Sequence, residues 1–248
     1  MRLVLADPSY FKDSISIISE LVNEARFKVT NNALELVAMD PANVAMVIFK
    51  LFSSCFAEYQ IEKETEIAIN LGNLKQILRR IKANDLLSLE LTGDNKLKIQ
   101  LKSNTTRTFS IPLIDLEERE QKIPQLEFPI SIALESTRLS EAIEDADIVA
   151  ESVQFNVADN IFSITAEGDL SHAHIELRED ENTKLTNETG EHIKAKYSLE
   201  YLKKMVNGAK LAPSMEVYFS KDYPLKLDYK VIDKLALSFI LAPRVEND

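Results

Sequence analysis

The chain carries two groupings of side chains with the chemistry to act on another molecule. Lys75, Arg79 and Lys82 recur at spacings of four and three, with Arg80 beside them and no acidic residue inside the segment. Such a one-sign stripe suits the phosphates of a polyanion, because Lys and Arg release the counterions condensed on it. Lys203 and Lys210, with Lys204 adjacent, repeat the pattern against one acid, Glu200. His172, His174 and Glu176 alternate along one expected strand and share a face, which is the start of a metal site. No third ligand group accompanies them. Glu141, Glu144, Asp145 and Asp147 form an acidic cluster that reads as a solvated helix face rather than a carboxylate pair. No phosphate-binding glycine loop, dinucleotide fingerprint or nucleophile elbow occurs, and the five glycines are scattered. No catalytic residue and no cofactor is assigned. Cys55 stands alone, which excludes an intrachain disulfide and a cysteine metal cluster, and it reads as a small buried apolar residue.

A net charge of −11 argues against nucleic acid if it is spread evenly. It is not. Lys12 adds to the cationic set on the first expected helix, and Arg138 stands beside the acidic cluster on the third. No apolar run reaches the roughly 18 residues of a membrane span. Met1 to Pro8, with one Arg and Asp7, fits neither a signal nor a transit peptide, so the expected location is cytoplasmic and nucleoid-associated, or nuclear for a eukaryotic source.

The elements that must position these groups follow from periodicity. Asp7-Pro8 starts a helix over about residues 8–22, in which Phe11, Ile15, Ile18 and Val22 keep helical spacing. Strands are expected over 26–29 and 33–37 around an Asn31-Asn32 turn, an Asn pair that tolerates positive φ, and over 44–51 and 66–71. A helix over 72–82 then carries the first cationic stripe. A hairpin over 86–101 around Gly93-Asp94-Asn95 and a strand over 107–114 close the first half. Further helices are expected near 137–148 and 198–209.

Sliding the chain along itself until Phe27 meets Phe155 shows why the second half repeats the first. Phe11, Ile15 and Leu36 then meet Leu139, Ile143 and Ile164, while Leu71, Leu74 and Leu78 meet Leu199, Leu202 and Val206. Leu97 and Ile99 meet Leu225 and Leu227. Apolar positions kept without identity mark core sites shared by two similar domains. The expected fold is α+β, with antiparallel sheets and two helices per domain on one face. Residues 1–114 and 130–248 are the expected domains, 115–129 is a connector rich in Glu, Gln and Lys, and Val245 to Asp248 is a loose tail.

Several separated motifs resemble the sliding clamps of the proliferating cell nuclear antigen (PCNA) family, of the archaeal and eukaryotic kind. They are the run from Tyr223-Pro224-Leu225 to Leu241-Ala242-Pro243-Arg244, the Ala38-Met39-Asp40 segment with Val44, and Asp115-Leu116 through Ile123-Pro124 to Phe128. Tyr201-Leu202 in the fourth helix adds to them.

The resemblance implies a trimeric ring whose helices line a hole for duplex DNA, with the sheets outside. Lys12, Lys75, Arg79, Arg80, Lys82, Arg138, Lys203, Lys204 and Lys210 are then the DNA-facing candidates, without sequence specificity, and the acidic third helix departs from the basic lining expected. A partner-peptide pocket is implied at Met39, Val44, Met46, Ile123, Phe128, Pro224, Ile240, Leu241, Ala242 and Pro243. Subunit contacts are implied between an edge strand with Thr108, Phe109, Ser110 and Ile111 and one with Ala173, His174, Ile175 and Leu177. Implied partners are homologous clamp subunits in a homo- or heterotrimer, a clamp loader, DNA polymerase, flap endonuclease and DNA ligase, with no membrane. A clamp-like checkpoint or repair scaffold, and a metal-dependent enzyme using His172, His174 and Glu176, stay open as alternatives.

Overall fold

The structure is a computed structural model that describes residues 1–116 and 121–244; part of the connector and the tail Val245 to Asp248 lie outside the described residues. In chain order the first elements are β1 (Arg2–Leu5), α1 (Ser9–Ile18), β2 (Glu24–Val29), β3 (Ala33–Met39), β4 (Ala45–Phe52) and β5 (Glu58–Gln60). They are followed by β6 (Thr65–Asn70), α2 (Leu71–Leu78), β7 (Leu86–Thr92), β8 (Lys96–Lys102) and β9 (Thr106–Pro112). Then come β10 (Ile130–Glu135), α3 (Ser136–Asp147), β11 (Ser152–Ala158), β12 (Ile161–Glu167), β13 (His172–Arg178) and β14 (Lys184–Asn187). The chain continues through β15 (Ile193–Ser198), α4 (Leu199–Met205), a 3-10 segment (Val206–Lys210), β16 (Ser214–Phe219), β17 (Leu225–Val231) and β18 (Leu235–Leu241).

Two compact units result. The first gathers Met1–Pro41, Val47–Ile123 and Val231–Leu237; the second gathers Ala42–Met46, Pro124–Lys230 and Ser238–Asp248. In the first unit β5, β1, β7, β8 and β9 form one antiparallel sheet in that order, while β2 pairs antiparallel with both β3 and β6. In the second, β13, β12, β11 and β15 form an antiparallel sheet, and β10 pairs antiparallel with both β14 and β16. The α+β architecture of two similar tandem domains stands.

The repeated apolar positions are the cores. Phe11, Ile15, Phe27, Leu36, Leu71, Leu74 and Leu78 are buried in the first unit, as are Leu139, Ile143, Phe155, Ile164, Leu199, Leu202 and Val206 in the second. Phe155 anchors an aromatic cluster, meeting Phe162 at 5.3 Å and Tyr197 at 5.4 Å between ring centroids in edge-to-face geometry.

Local chemistry moves several expected boundaries. The first helix stops at Ile18, and buried Leu21 and Val22 follow in turns closed by their amide bonds to the Ile18 carbonyl. Pro8 rather than Asp7 is its N-cap, without a side-chain cap bond, and Asp7 one residue earlier accepts from the Ser9 N–H at 3.0 Å. The second helix stops at Leu78 rather than Lys82: the Arg80 and Ile81 amides bond three residues back, to Ile77 and Leu78, and the Lys82 amide turns to Asp85 Oδ2 at 2.6 Å. Asn31 and Asn32 do not adopt positive φ, because Thr30 Oγ1 accepts from the Asn32 and Ala33 amides and closes that turn. The matching turn of the second half does, at Asp159 (φ 50°) and Asn160 (φ 60°). Cys55 is half-exposed, not buried, with Sγ 3.1 Å from the Lys234 carbonyl.

Candidate functional site

In the first unit α1 and α2 pack together, and α2 starts from Asn70, whose side chain accepts from the Asn73 amide at 3.0 Å. Leu71, Leu74 and Leu78 face the core. The opposite face and the turn beyond it therefore carry the cations to solvent. Arg79, Arg80 and Lys82 are exposed, and among the described residues none of them forms an ion pair. Lys75 differs: its ammonium is paired with Glu20. Lys12 on α1 is half-exposed.

The turn bearing these cations is held from behind. Arg107 on β9 donates through Nη1 to the Arg80 carbonyl at 2.8 Å and through Nη2 to the buried carboxylate of Asp85. The Lys82 amide, and after it the Arg107 guanidinium, hold the Asp85 carboxyl below the ordinary carboxylate value. Sequence reasoning missed both residues; the only signal was an aspartate immediately before an apolar strand.

In the second unit α3 packs beside α4 and the 3-10 segment, and the cations there are mostly engaged. Lys203 meets Asp147 at 2.6 Å, and Lys204 meets Glu200 at 3.2 Å while lying over the Tyr201 ring. Arg138 bonds Asp180 at 2.6 Å, Thr183 at 2.9 Å and Glu135 at 3.1 Å, and its hydrogen bond depresses the Asp180 carboxyl. Lys210 is exposed with no ion pair among the described residues. Of the α3 acids, Asp147 is thus the one that meets the α4 stripe among the described residues.

His174 does not gather a metal site. Its Nδ1 lies 3.1 Å from Thr165 Oγ1 and its Nε2 3.4 Å from Glu176, whose carboxyl is held low by Arg178 first and His174 second. Among the described residues no three His, Cys, Asp or Glu side chains could hold a metal ion. The strand instead forms an edge of its sheet, as β9 does in the first unit. Thr108, Ser110 and His174 are exposed there, Phe109, Ala173, Ile175 and Leu177 half-buried, and Ile111 buried.

Of the apolar residues expected to form a groove, Met46, Ile240 and Leu241 are buried in the second unit and belong to its core. Val44, Phe128, Pro224, Ala242 and Pro243 remain half-exposed in that unit. The Ala242 amide donates to the Val44 carbonyl at 2.9 Å, fixing the end of the chain against the Ala42–Met46 segment. Phe128 meets Tyr218 in a tilted and Tyr223 in an edge-to-face contact, each 5.7 Å between ring centroids, aromatic neighbours that the sequence did not reveal. In the first unit Met39 is half-buried and Ile123 is exposed.

Residues 1–121 match the family model of the proliferating cell nuclear antigen N-terminal domain, and residues 122–244 that of its C-terminal domain. The chain belongs to the proliferating cell nuclear antigen family. Among its PCNA relatives, a DNA polymerase sliding clamp of Thermococcus fumicolans is 38% identical over 99% of both chains. That of Nanoarchaeum equitans is 36% identical over 98% of this chain and 99% of its own. The solved PCNA of Thermococcus kodakaraensis superposes with a TM-score of 0.90 at 28% identity, covering 98% of this chain and 99% of that one. A PCNA2–PCNA3 complex from Sulfolobus tokodaii includes a chain similar at TM-score 0.88 and 26% identity, covering 99% of this PCNA-family chain and 100% of that one.

Proposed function

We propose that this chain is a subunit of a DNA sliding clamp, a three-subunit ring that encircles duplex DNA without reading its sequence and tethers a DNA polymerase as a processivity factor. The observation that carries this function is the chain-long similarity to relatives named DNA polymerase sliding clamps. The cationic stripe supports it, since Arg79, Arg80, Lys82 and Lys210 lie exposed in an otherwise acidic chain. Lys12, Lys75, Arg138, Lys203 and Lys204 complete the proposed lining. A ring holds DNA by topology, so phosphate contacts need only guide the duplex and can stay weak enough for sliding. The chain does this by binding alone and is not an enzyme.

The domains divide at a connector over 115–129. Subunits pair through the β9 and β13 edges, which have unused backbone donors and acceptors in the isolated chain. The half-exposed set Val44, Phe128, Pro224, Ala242 and Pro243 takes the apolar and aromatic anchors of client peptides from polymerase, flap endonuclease and DNA ligase. A separate clamp loader opens the ring. No helix among the described residues is long and apolar enough to cross a membrane, and the proposed location is the cytoplasm, on the nucleoid.

The test is retention on DNA after loading onto a nicked circular plasmid, with and without linearisation. The clamp stays on the circle and runs off the linear molecule; equal loss from both overturns the ring. Native mass accompanies it: three times 28.1 kDa means copies of this chain suffice, whereas a monomer means that paralogous subunits complete the ring.

A further inference from the structure

The first unit carries more unpaired cations than the second among the described residues, Arg79, Arg80 and Lys82 against Lys210. In the first, Arg79, Arg80 and Lys82 stand free of ion pairs among the described residues, on a turn fixed by Arg107 and Asp85. In the second, Asn207 and Gly208 stand at the repeat positions of Arg79 and Arg80, Lys210 at that of Lys82 is exposed, and Lys203, the repeat partner of the Glu20-paired Lys75, is held by the last residue of α3, Asp147, at 2.6 Å. Both side chains remain open to water, Lys203 at 49% and Asp147 at 35% exposure. The pair is therefore no core contact and no obstacle to a phosphate by bulk. Exposed Glu144 and Asp145 on the same last turns of α3 add negative charge beside it.

An exposed ion pair of this kind contributes little to folding stability. Its effect on a polyanion is larger. An ammonium already facing a carboxylate neutralises a phosphate only by giving up that partner, and the released carboxylate then repels the phosphate at short range. Each phosphate charge a protein neutralises steepens the dependence of binding on salt by about 0.9 in log-log terms. A protein that must translate along duplex DNA gains from keeping that count small.

We propose that Asp147 masks Lys203 electrostatically and so limits the grip of α4 on duplex DNA, leaving the Arg79–Lys82 turn of the first unit, with Lys210 of the second, as the principal phosphate contacts. The inference rests on the clamp function proposed above and names the residue that sets its strength of contact. Asp147 is a positioning and charge-setting residue here, not a contact to DNA.

The test uses the assembled protein and a labelled linear duplex, with binding measured by fluorescence anisotropy over a salt series. Asp147→Asn, isosteric and uncharged, binds the duplex roughly two- to fivefold tighter and steepens the log-log salt slope by about 0.9 for each newly engaged lysine. Asp147→Ser does the same, which separates the charge from any packing effect of one substitution. Combining Asp147→Asn with Lys203→Ala removes the gain. The mask is overturned if Asp147→Asn leaves affinity and slope unchanged, or if its gain survives loss of Lys203, since the effect is then general repulsion by α3. Arg79→Ala, measured alongside, separates the two failures. Weaker binding by Arg79→Ala with no effect of Asp147→Asn rejects the mask alone, while no effect of either rejects the DNA-facing role of both stripes.

Discussion

Arg107, on the edge strand β9, grips the buried carboxylate of Asp85 and with the same guanidinium takes the Arg80 carbonyl at 2.8 Å. The planar fork of arginine allows both at once. One side chain thus ties the proposed subunit edge to the turn carrying Arg79, Arg80 and Lys82. The repeat places Leu235 and Pro213 where the first half has Arg107 and Asp85, so the clasp belongs to the first unit alone.

Arg107→Ala therefore lowers duplex binding although Arg107 is not itself in the proposed DNA-facing set, by roughly two- to fivefold, similar to the loss of one phosphate contact. Arg107→Lys keeps the charge but cannot make the two-pronged grip, and it recovers only part of the loss. Anisotropy at fixed salt measures both. Unchanged binding in Arg107→Ala means the turn holds its shape without the clasp.

The same clasp sets an acid limit. Asp85 has its native carboxyl held below the ordinary value of 3.8, by the Lys82 amide first and by Arg107 as well. The native state then binds fewer protons than the unfolded chain across that range, so stability rises with pH there. The contribution is complete above the unfolded value and fades as pH falls through the lower native one. Urea midpoints between pH 5 and pH 3, values that bracket the carboxylate range, fall more steeply for the parent protein than for Asp85→Asn. Parallel curves overturn this assignment.

The core was legible because a duplicated pattern samples each buried position twice: Phe27 with Phe155 and Leu74 with Leu202 need only be apolar to be recognised. The α+β class followed from the same alternation. Short strands such as β5, with three residues, offer too few alternations to read. Helix ends were less legible, since the Lys82 amide bonds the Asp85 side chain three residues on, and that carboxylate is held in place by Arg107 from β9, a tertiary contact that helical spacing does not encode. The cationic stripe was visible as residue types, but its electrical state was not. Lys75 with Glu20 and Lys203 with Asp147 are pairs between different elements of each unit, and linear charge patterns record only near neighbours. The groove residues mixed core and surface for a similar reason, as Leu241 and Pro243 lie two positions apart on either side of burial.

That difference predicts opposite outcomes at the end of the chain. Leu241 is fully buried, and Leu241→Ala destabilises the fold by about 3 kcal/mol through lost burial and a cavity. Pro243 is half-exposed, and Pro243→Ser leaves the melting temperature near that of the parent while weakening an aromatic client peptide at least tenfold, an order-of-magnitude expectation for an interface anchor worth about 1.4 kcal/mol or more. Calorimetric titration with the peptide, beside thermal melting, checks both. Undiminished peptide binding by Pro243→Ser removes this residue from the groove.

Gly208, in the 3-10 segment after α4, lies against the buried ring of Tyr229. A β-carbon at this position meets Tyr229 Cε2 at 2.5 Å and Cζ at 2.6 Å, closer than carbon atoms approach without displacement. The ring cannot yield easily, because Tyr229 is fully buried and its other neighbour, Phe239, packs edge-to-face at 6.2 Å. Gly208→Ala gains helix propensity of about 1 kcal/mol in an unconstrained helix, but here overpacking costs about 2 kcal/mol, and the net effect is destabilisation. Gly72, at the start of α2, provides the comparison: its β-carbon meets only the Asn70 side-chain oxygen at 3.2 Å, which must shift by a few tenths of an ångström while capping the Asn73 amide, so Gly72→Ala costs less than Gly208→Ala. Urea unfolding of the two variants separates them. A Gly208→Ala midpoint at or above the parent's means that the Tyr229 ring moves aside, and that the contact between the 3-10 segment and β17 does not hold Lys210 in place.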